Sequence, residues 1–351
     1  MQRRKRRYDL ARIRVVGAGG GGVTALDQLL ATDRSASAWR GVDFVAVDAD
    51  QATLGQTAAA VKIQLGDSAA GLSGGADAGR QAAEATLTPL RHALNRADMV
   101  FVLAGLGGGT GSGAAPVIAR LAKELGALVI GIVTYPFAFE GTLRAGNADT
   151  AVAALRNQTD TLIVLPNDRL LQQGEGAIGF HETYRLASQV WRQSVAGISD
   201  LVNRSGLINV DFADVRAIMS ESGAAIITAG TASGPDRARR VADAVSQSEL
   251  LGLTIDGARG ILFNVVGGPD LSLTEVESLA AQLIERAHPG ANVIFGAVID
   301  PALKNTLQVT LIATGFQGME RSWPLPLPSR REPVTVEAVA GSATEPATLS
   351  S

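Results

Sequence analysis

Residues 107–113 of this 351-residue chain read Gly-Gly-Gly-Thr-Gly-Ser-Gly, between an apolar, strand-like run at 99–106 and a helix-like run at 114–125. A strand that enters a helix through so many glycines can turn its main-chain N–H groups inward with φ > 0. The helix behind it adds the positive end of its dipole. The product is a cradle for phosphate at one edge of a sheet. Taken alone, such a heptamer serves equally well as a connecting turn. A second run, Gly17-Ala18-Gly19-Gly20-Gly21-Gly22, repeats the arrangement between a strand-like 13–16 and a helix-like 23–30. Two phosphate-sized turns at two strand ends predict a nucleotide.

The rest of the chain fits such a frame. Strand-like runs at 13–16, 44–47, 99–106, 128–133 and 161–165 alternate with helix-like stretches at 80–94, 114–125 and 143–157. The alternation predicts a parallel sheet with helices on both faces, whose ligands sit outside the carboxyl ends of the strands. A long helix at 182–202 carries Tyr184, Ala187, Trp191, Val195, Ile198, Leu201 and Val202 at steps of three and four, which reads as a buried stripe. Beyond it, strand-like 224–229, 260–266, 292–299 and 307–313 and helix-like 235–247 and 273–287 form a second unit. The expected fold class is α/β: a parallel-sheet nucleotide-binding domain, a long central helix and a second, smaller α/β domain. The expected boundaries are a basic arm at 1–11, the nucleotide domain at 12–181, the helix at 182–205, the second domain at 206–315 and a tail at 316–351.

Composition excludes several functions. The formal net charge of −3 argues against general affinity for nucleic acid, which needs a basic surface. The run Arg3-Arg4-Lys5-Arg6-Arg7 reads as a solvated, disordered arm. Without cysteine there are no disulfides, thiolate metal sites or thiol nucleophiles, and no metal-ligating constellation stands out. No apolar run approaches the roughly 18 residues of a membrane span, so a cytoplasmic protein is expected. The tail, with Ser322-Trp323-Pro324-Leu325-Pro326-Leu327-Pro328, has little to bury and should be extended.

Asn209-Val210-Asp211-Phe212-Ala213-Asp214 places two carboxylates three apart at a helix start. They share a face, and the plain reading is an N-terminal cap. In phosphoryl transfer the same carboxylates can orient an attacking water. A different class of function is also open: Gly17–Gly22 satisfies GxGxxG, and Asp48 ends the next strand as in a dinucleotide-binding dehydrogenase. That reading leaves residues 107–113 and 209–214 unexplained, and the three histidines are scattered.

Together, residues 107–113, Gly17–Gly22, Thr134-Tyr135-Pro136-Phe137-Ala138-Phe139-Glu140-Gly141, Pro166-Asn167-Asp168, 206–214 and Met219-Ser220-Glu221 resemble the tubulin/FtsZ family of GTPases, from about Arg12 to Gly315. The resemblance implies GTP or GDP with Mg2+. Backbone amides of Gly20, Gly21, Gly22, Gly108, Gly109, Thr110 and Gly111 would hold the phosphates, with hydroxyls from Thr110 and Ser112. Glu140 and Arg144 would meet the ribose, and Asn167 the base or sugar. Tyr184 would stack on the base, and Thr24 and Gln189 would stand at its edge. Asp211 and Asp214, with Asn209, would complete the site of the next subunit, giving a head-to-tail homopolymer of the kind that acts at the division site in septum formation.

This chain also departs from the family pattern. Val23-Thr24 replaces Gly-Asn, Gln189 replaces an Asp, and Asp48-Ala49 replaces Asn-Thr while Asp50 is kept. The loop at 71–80 is shorter and lacks its proline. A neutral Gln189 would loosen guanine selectivity. The tail carries no recognisable peptide for tethering to division adaptor proteins, so any recruitment by adaptors would differ. A divergent paralogue, a filament scaffold with weak or no hydrolysis, is the alternative these departures imply.

Overall fold

The computed structural model describes residues 10–32, 39–66, 75–170, 180–204, 206–220, 223–248 and 253–316. The basic run at 3–7, residues 71–74 of the shortened loop and the tail from 317 onward lie outside the described residues.

Six strands form the nucleotide half: β1 (Ile13–Ala18), β2 (Val42–Asp48), β3 (Val61–Gln64), β4 (Met99–Gly105), β5 (Leu128–Tyr135) and β6 (Thr161–Pro166). They pair in parallel in the order β6-β5-β4-β1-β2-β3. Their side chains are apolar on both faces because helices cover both, so strands such as Met99–Gly105 are buried almost without interruption. One core lies beneath the sheet against the central helix, and the second lies above it around Ile118, Leu121 and Leu155.

The central helix, Phe180–Asn203, buries Ala187, Trp191, Val195, Ile198 and Leu201 as its periodicity predicts. It leads to the short helix Phe212–Ser220 and then to β7 (Gly223–Ser233). Two residues of β7 pair with β6 in parallel, so the sheet runs on into the second unit. There β12 (Thr306–Thr314) lies antiparallel to both β7 and β10 (Gly260–Gly267), and β11 (Asn292–Ile299) closes the edge. A minor pair, β8 (Gln247–Ser248) and β9 (Leu253–Thr254), stands apart. Helices Arg237–Ser246 and Leu273–Arg286 cover a third core.

Two expectations change. The helix read at 80–94 is two helices, Gly75–Ala85 and Leu87–Leu94. Pro89 cannot donate to the carbonyl of Ala85 and its ring crowds that carbonyl, so the first helix ends there and a new one starts with the proline in its first turn. The strand Val61–Gln64 was not foreseen, because only Ile63 of its four residues is buried and no alternation shows. At the amino end, Ala11 exchanges hydrogen bonds with Asn203, which ties the chain to the central helix from that point. Among the described residues no helix is long and apolar enough to cross a membrane.

Candidate functional site

The strand order reverses between β1 and β4, and a crevice opens there outside their carboxyl ends. Both glycine loops enter it. Gly19 begins the helix that follows β1, and after β4 the chain turns through Gly107 at φ +103° into the helix Gly109–Glu124. The loop is braced from inside: Gly107 N–H donates to Ser112 Oγ at 2.8 Å and its carbonyl accepts from Asn147 Nδ2 at 3.2 Å. The helix cap is Gly108, with no side chain accepting the first-turn N–H groups. Those donors, unpaired within the helix, open into the crevice beside the dipole's positive end.

The crevice has a cavity volume of about 290 Å³. Gly20 and Gly21 face Gly108, Gly109, Thr110 and Gly111 across it, with Glu140, Arg144 and Asn167 at the sides. Glu140 accepts from Phe137 N–H at 2.8 Å and pairs with Arg144 Nε at 2.7 Å. The structure thus brings together nine of the fourteen residues expected at the nucleotide. Thr110 is the most telling: 5% exposed, its hydroxyl buried and without a hydrogen-bond partner. A buried hydroxyl left unpaired costs about 1–3 kcal/mol, and here it belongs to a residue that lines the cleft.

The remaining expectations separate. Gly22 is outside the lining: a Cβ there would strike the carbonyl of Leu103, so this glycine lets the first helix lie against β4. Thr24 is exposed and outside the lining too. Ser112 is outside the lining, and its Oγ accepts from Gly107 N–H within the loop. Tyr184 and Gln189 lie on the central helix, but their side chains fall outside the described residues.

Part of the wall was not among the residues assigned to the nucleotide. Asp48, Asp50 and Thr53 line it beside Gly20, and Ala187 and Trp191 form part of its floor. The helical period held the signal for the last two, since 184, 187 and 191 share a face. Burial raises the Asp48 carboxyl above its ordinary value, while the Ala52 N–H holds that of Asp50 below it.

Asn209, Asp211 and Asp214 are exposed and stand elsewhere. Asn209 Oδ1 accepts from Gly206 N–H at 2.7 Å, and Asp211 Oδ1 accepts from Ala213 N–H at 3.2 Å, the cap geometry. On the same helix Arg216 donates to the carbonyls of Asp98 and Gly126, which precede β4 and β5. The acids therefore sit at the amino ends of strands whose carboxyl ends form the cleft. The seven residues of β4, about 20 Å of strand, lie between. A single chain does not bring the two halves together.

The GTPase-domain model of the Tubulin/FtsZ family matches residues 12–175, and the C-terminal domain model of the FtsZ family matches residues 223–317. Among solved structures, an empty FtsZ dimer from M. jannaschii is 38% identical, with 88% of this chain and 89% of that chain covered and a TM-score of 0.78. A GDP-bound monomer of CetZ1 from Haloferax volcanii is 21% identical, covers 88% and 95%, and has a TM-score of 0.73. A GTPγS-bound CetZ2 protofilament from the same organism is 23% identical, covers 88% and 95%, and has a TM-score of 0.72. At those identities the last two show the fold alone.

Proposed function

The chain belongs to the tubulin/FtsZ family, and on that premise we propose that it is a GTP-dependent cytoskeletal GTPase that assembles head to tail and acts in the cytoplasm at the division site. The observation that carries the reading is the uncapped, glycine-built helix start at Gly108–Gly111 opposite Gly20 and Gly21. Amides and hydroxyl would hold the phosphates. The Glu140–Arg144 pair would meet the ribose, and Asn167, Tyr184 and Gln189 the base.

Hydrolysis would need the second pole. Asp211 and Asp214, helped by Asn209, would orient water at the terminal phosphate held by the next subunit. Phosphoryl transfer asks for that kind of positioning and charge stabilisation rather than covalent help. Exposed apolar side chains stand at both poles, Phe139 (67%) and Leu143 (78%) beside the cleft and Leu207 (73%) beside the acids, as a heterologous contact would use. Nucleotide and filament are then coupled, triphosphate favouring the contact and cleavage weakening it. Mg2+ would bring Lewis-acid help to the phosphates when bound. Among the described residues no three-ligand cluster would hold it alone, and the Asp48 and Asp50 carboxylates in the wall suit an ion shared with phosphate oxygens.

Phosphate release measured across protein concentrations tests the reading. A threshold that coincides with sedimentable polymer is expected. Equal specific activity for dilute and concentrated protein would rule out a shared site. Assembly without nucleotide and without phosphate release would favour the scaffold alternative.

A further inference from the structure

At the carboxyl end of β6, Asn167 lines the cleft and the next residue, Asp168, does not. The Asp168 carboxylate is occupied elsewhere: it accepts from Ala138 N–H, at 3.1 Å to Oδ2 and 3.3 Å to Oδ1. Burial raises this carboxyl above its ordinary value, as the nearby Glu140 does in smaller part, and the Ala138 N–H draws it back. The surroundings disfavour a charge that this one bond makes use of.

Ala138 begins the short 3₁₀-helix Ala138–Glu140, which links β5 to the helix Thr142–Gln158. This turn has two sides. Phe137 and Glu140 line the cleft, while Phe139 stands out beside it with its ring stacked on that of Phe137, centroids 4.9 Å apart. The leading N–H groups of a helical turn have no partner within its own backbone and must find one outside it. Phe137 N–H is met by Glu140, which closes the turn on itself and is held in its place by Arg144. Ala138 N–H is met from another element, by Asp168. The cleft side is therefore braced by its own residues, and the outer side leans on β6.

We infer that Asp168 is a positioning residue for the contact between subunits: by holding Ala138 N–H it fixes the turn, so that Phe139 is presented to the next molecule from the rim of the cleft. The inference rests on the head-to-tail reading above and deepens it by naming what aims that surface. Asn167 and Asp168 are adjacent, one on the cleft and the other on the turn, so the strand end that would meet the base also sets the outer aromatic ring. Without the bond, an exposed N–H turns to water at little loss to the fold. The contact loses more, because a side chain that must be ordered during association gives back part of what it contributes.

The test compares the full chain as wild type, Asp168→Ala and Asp168→Asn. It reads the concentration at which polymer sediments with GTPγS, and the binding of a fluorescent GDP analogue to dilute protein. Asp168→Ala removes the acceptor and should raise the threshold at least about fivefold, the scale of one hydrogen bond, with GDP affinity within about twofold of wild type. Asp168→Asn keeps an acceptor for Ala138 N–H and should assemble within about twofold of wild type. In a Phe139→Ala background, which should itself raise the threshold, Asp168→Ala should add little, because the two act through one contact. An unchanged threshold in Asp168→Ala, full additivity with Phe139→Ala, or a loss of GDP affinity as large as the rise in threshold overturns the inference. If Asp168→Ala does not fold, Asp168→Asn still decides, since a raised threshold there overturns it as well. Wild type that forms no polymer at any concentration overturns the head-to-tail reading and this inference with it.

Discussion

At the carboxyl ends of β1 and β4 the proposed phosphate loops are main chain, and at the amino ends of β4 and β5 the proposed second pole is side chains. In the cleft, Gly111 is packed so closely that a Cβ would collide with the carbonyl of Gly105. At the other pole Asn209, Asp211 and Asp214 are exposed, and Asn209 and Asp211 accept from main-chain N–H groups two or three residues away. One pole owes its shape to how near two backbones come, so a substitution in that packing should disturb the fold and the proposed nucleotide site together. The other displays groups on a helix start that would fold much the same without them. The difference predicts opposite responses to substitution.

Asp211→Asn should have the largest effect on function and the least on the fold. Asparagine still accepts from Ala213 N–H, so stability should stay within about 0.5 kcal/mol of wild type and GDP should bind as before. Turnover should fall by about 10²- to 10⁴-fold, and the variant mixed into wild type should poison it, since each contact needs one partner's acid. Normal turnover by Asp211→Asn would erase the contrast between the poles.

Gly111→Ala should behave in reverse. The collision with the Gly105 carbonyl should cost about 1–3 kcal/mol in chemical denaturation, with nucleotide binding lost in the protein that still folds. If the variant kept both stability and affinity, the cleft would not be the rigid main-chain device described.

What the sequence made legible follows the same division. Glycine runs report main-chain demands, so the two loops, and the sheet that must stand behind them, were readable before any contact was known. A run does not say which demand each glycine meets: what the missing Gly22 side chain makes room for is the Leu103 carbonyl, and the residue lies outside the cleft lining. Nor does a run show what a hydroxyl within it already does: Ser112 Oγ accepts from Gly107 N–H, a loop brace that the sequence does not announce. Trp191 was assigned to the core and is buried, yet it also lines the cleft, since periodicity shows a helix face but not what lies over each turn. The distance between the acids and the cleft was invisible in the residues alone. It depends on Arg216 reaching Asp98 and Gly126, contacts far apart in the chain.

Thr110→Val sharpens the comparison from within the cleft, where one side chain acts among amides. Valine keeps the shape and removes a hydroxyl that has no partner, so thermal stability should hold or rise slightly. GDP affinity should fall about tenfold, the value of one hydrogen bond to a charged acceptor. An unchanged affinity would mean that the amides hold the phosphates alone.

The smallest effect expected comes from a control that belongs to neither pole. Arg237, buried between helices Arg237–Ser246 and Leu273–Arg286, is held by Glu275 Oε1 at 2.7 Å and by Asp270. The guanidinium carries the Glu275 carboxyl from an ordinary 4.5 down to about 2. The unfolded chain therefore takes up this proton first as the solution is acidified. The stabilisation is complete above pH 4.5 and is lost as pH falls from there toward 2. Glu275→Gln removes it at every pH, so wild type should exceed the variant by about 1 kcal/mol at neutrality, and the two should converge as the carboxyl protonates. Nucleotide affinity and the assembly threshold should be unchanged at pH 7, because stability lost here touches neither the phosphate amides nor the exposed acids. A shift in either would show that the second unit communicates with the poles, and the two could no longer be treated as independent.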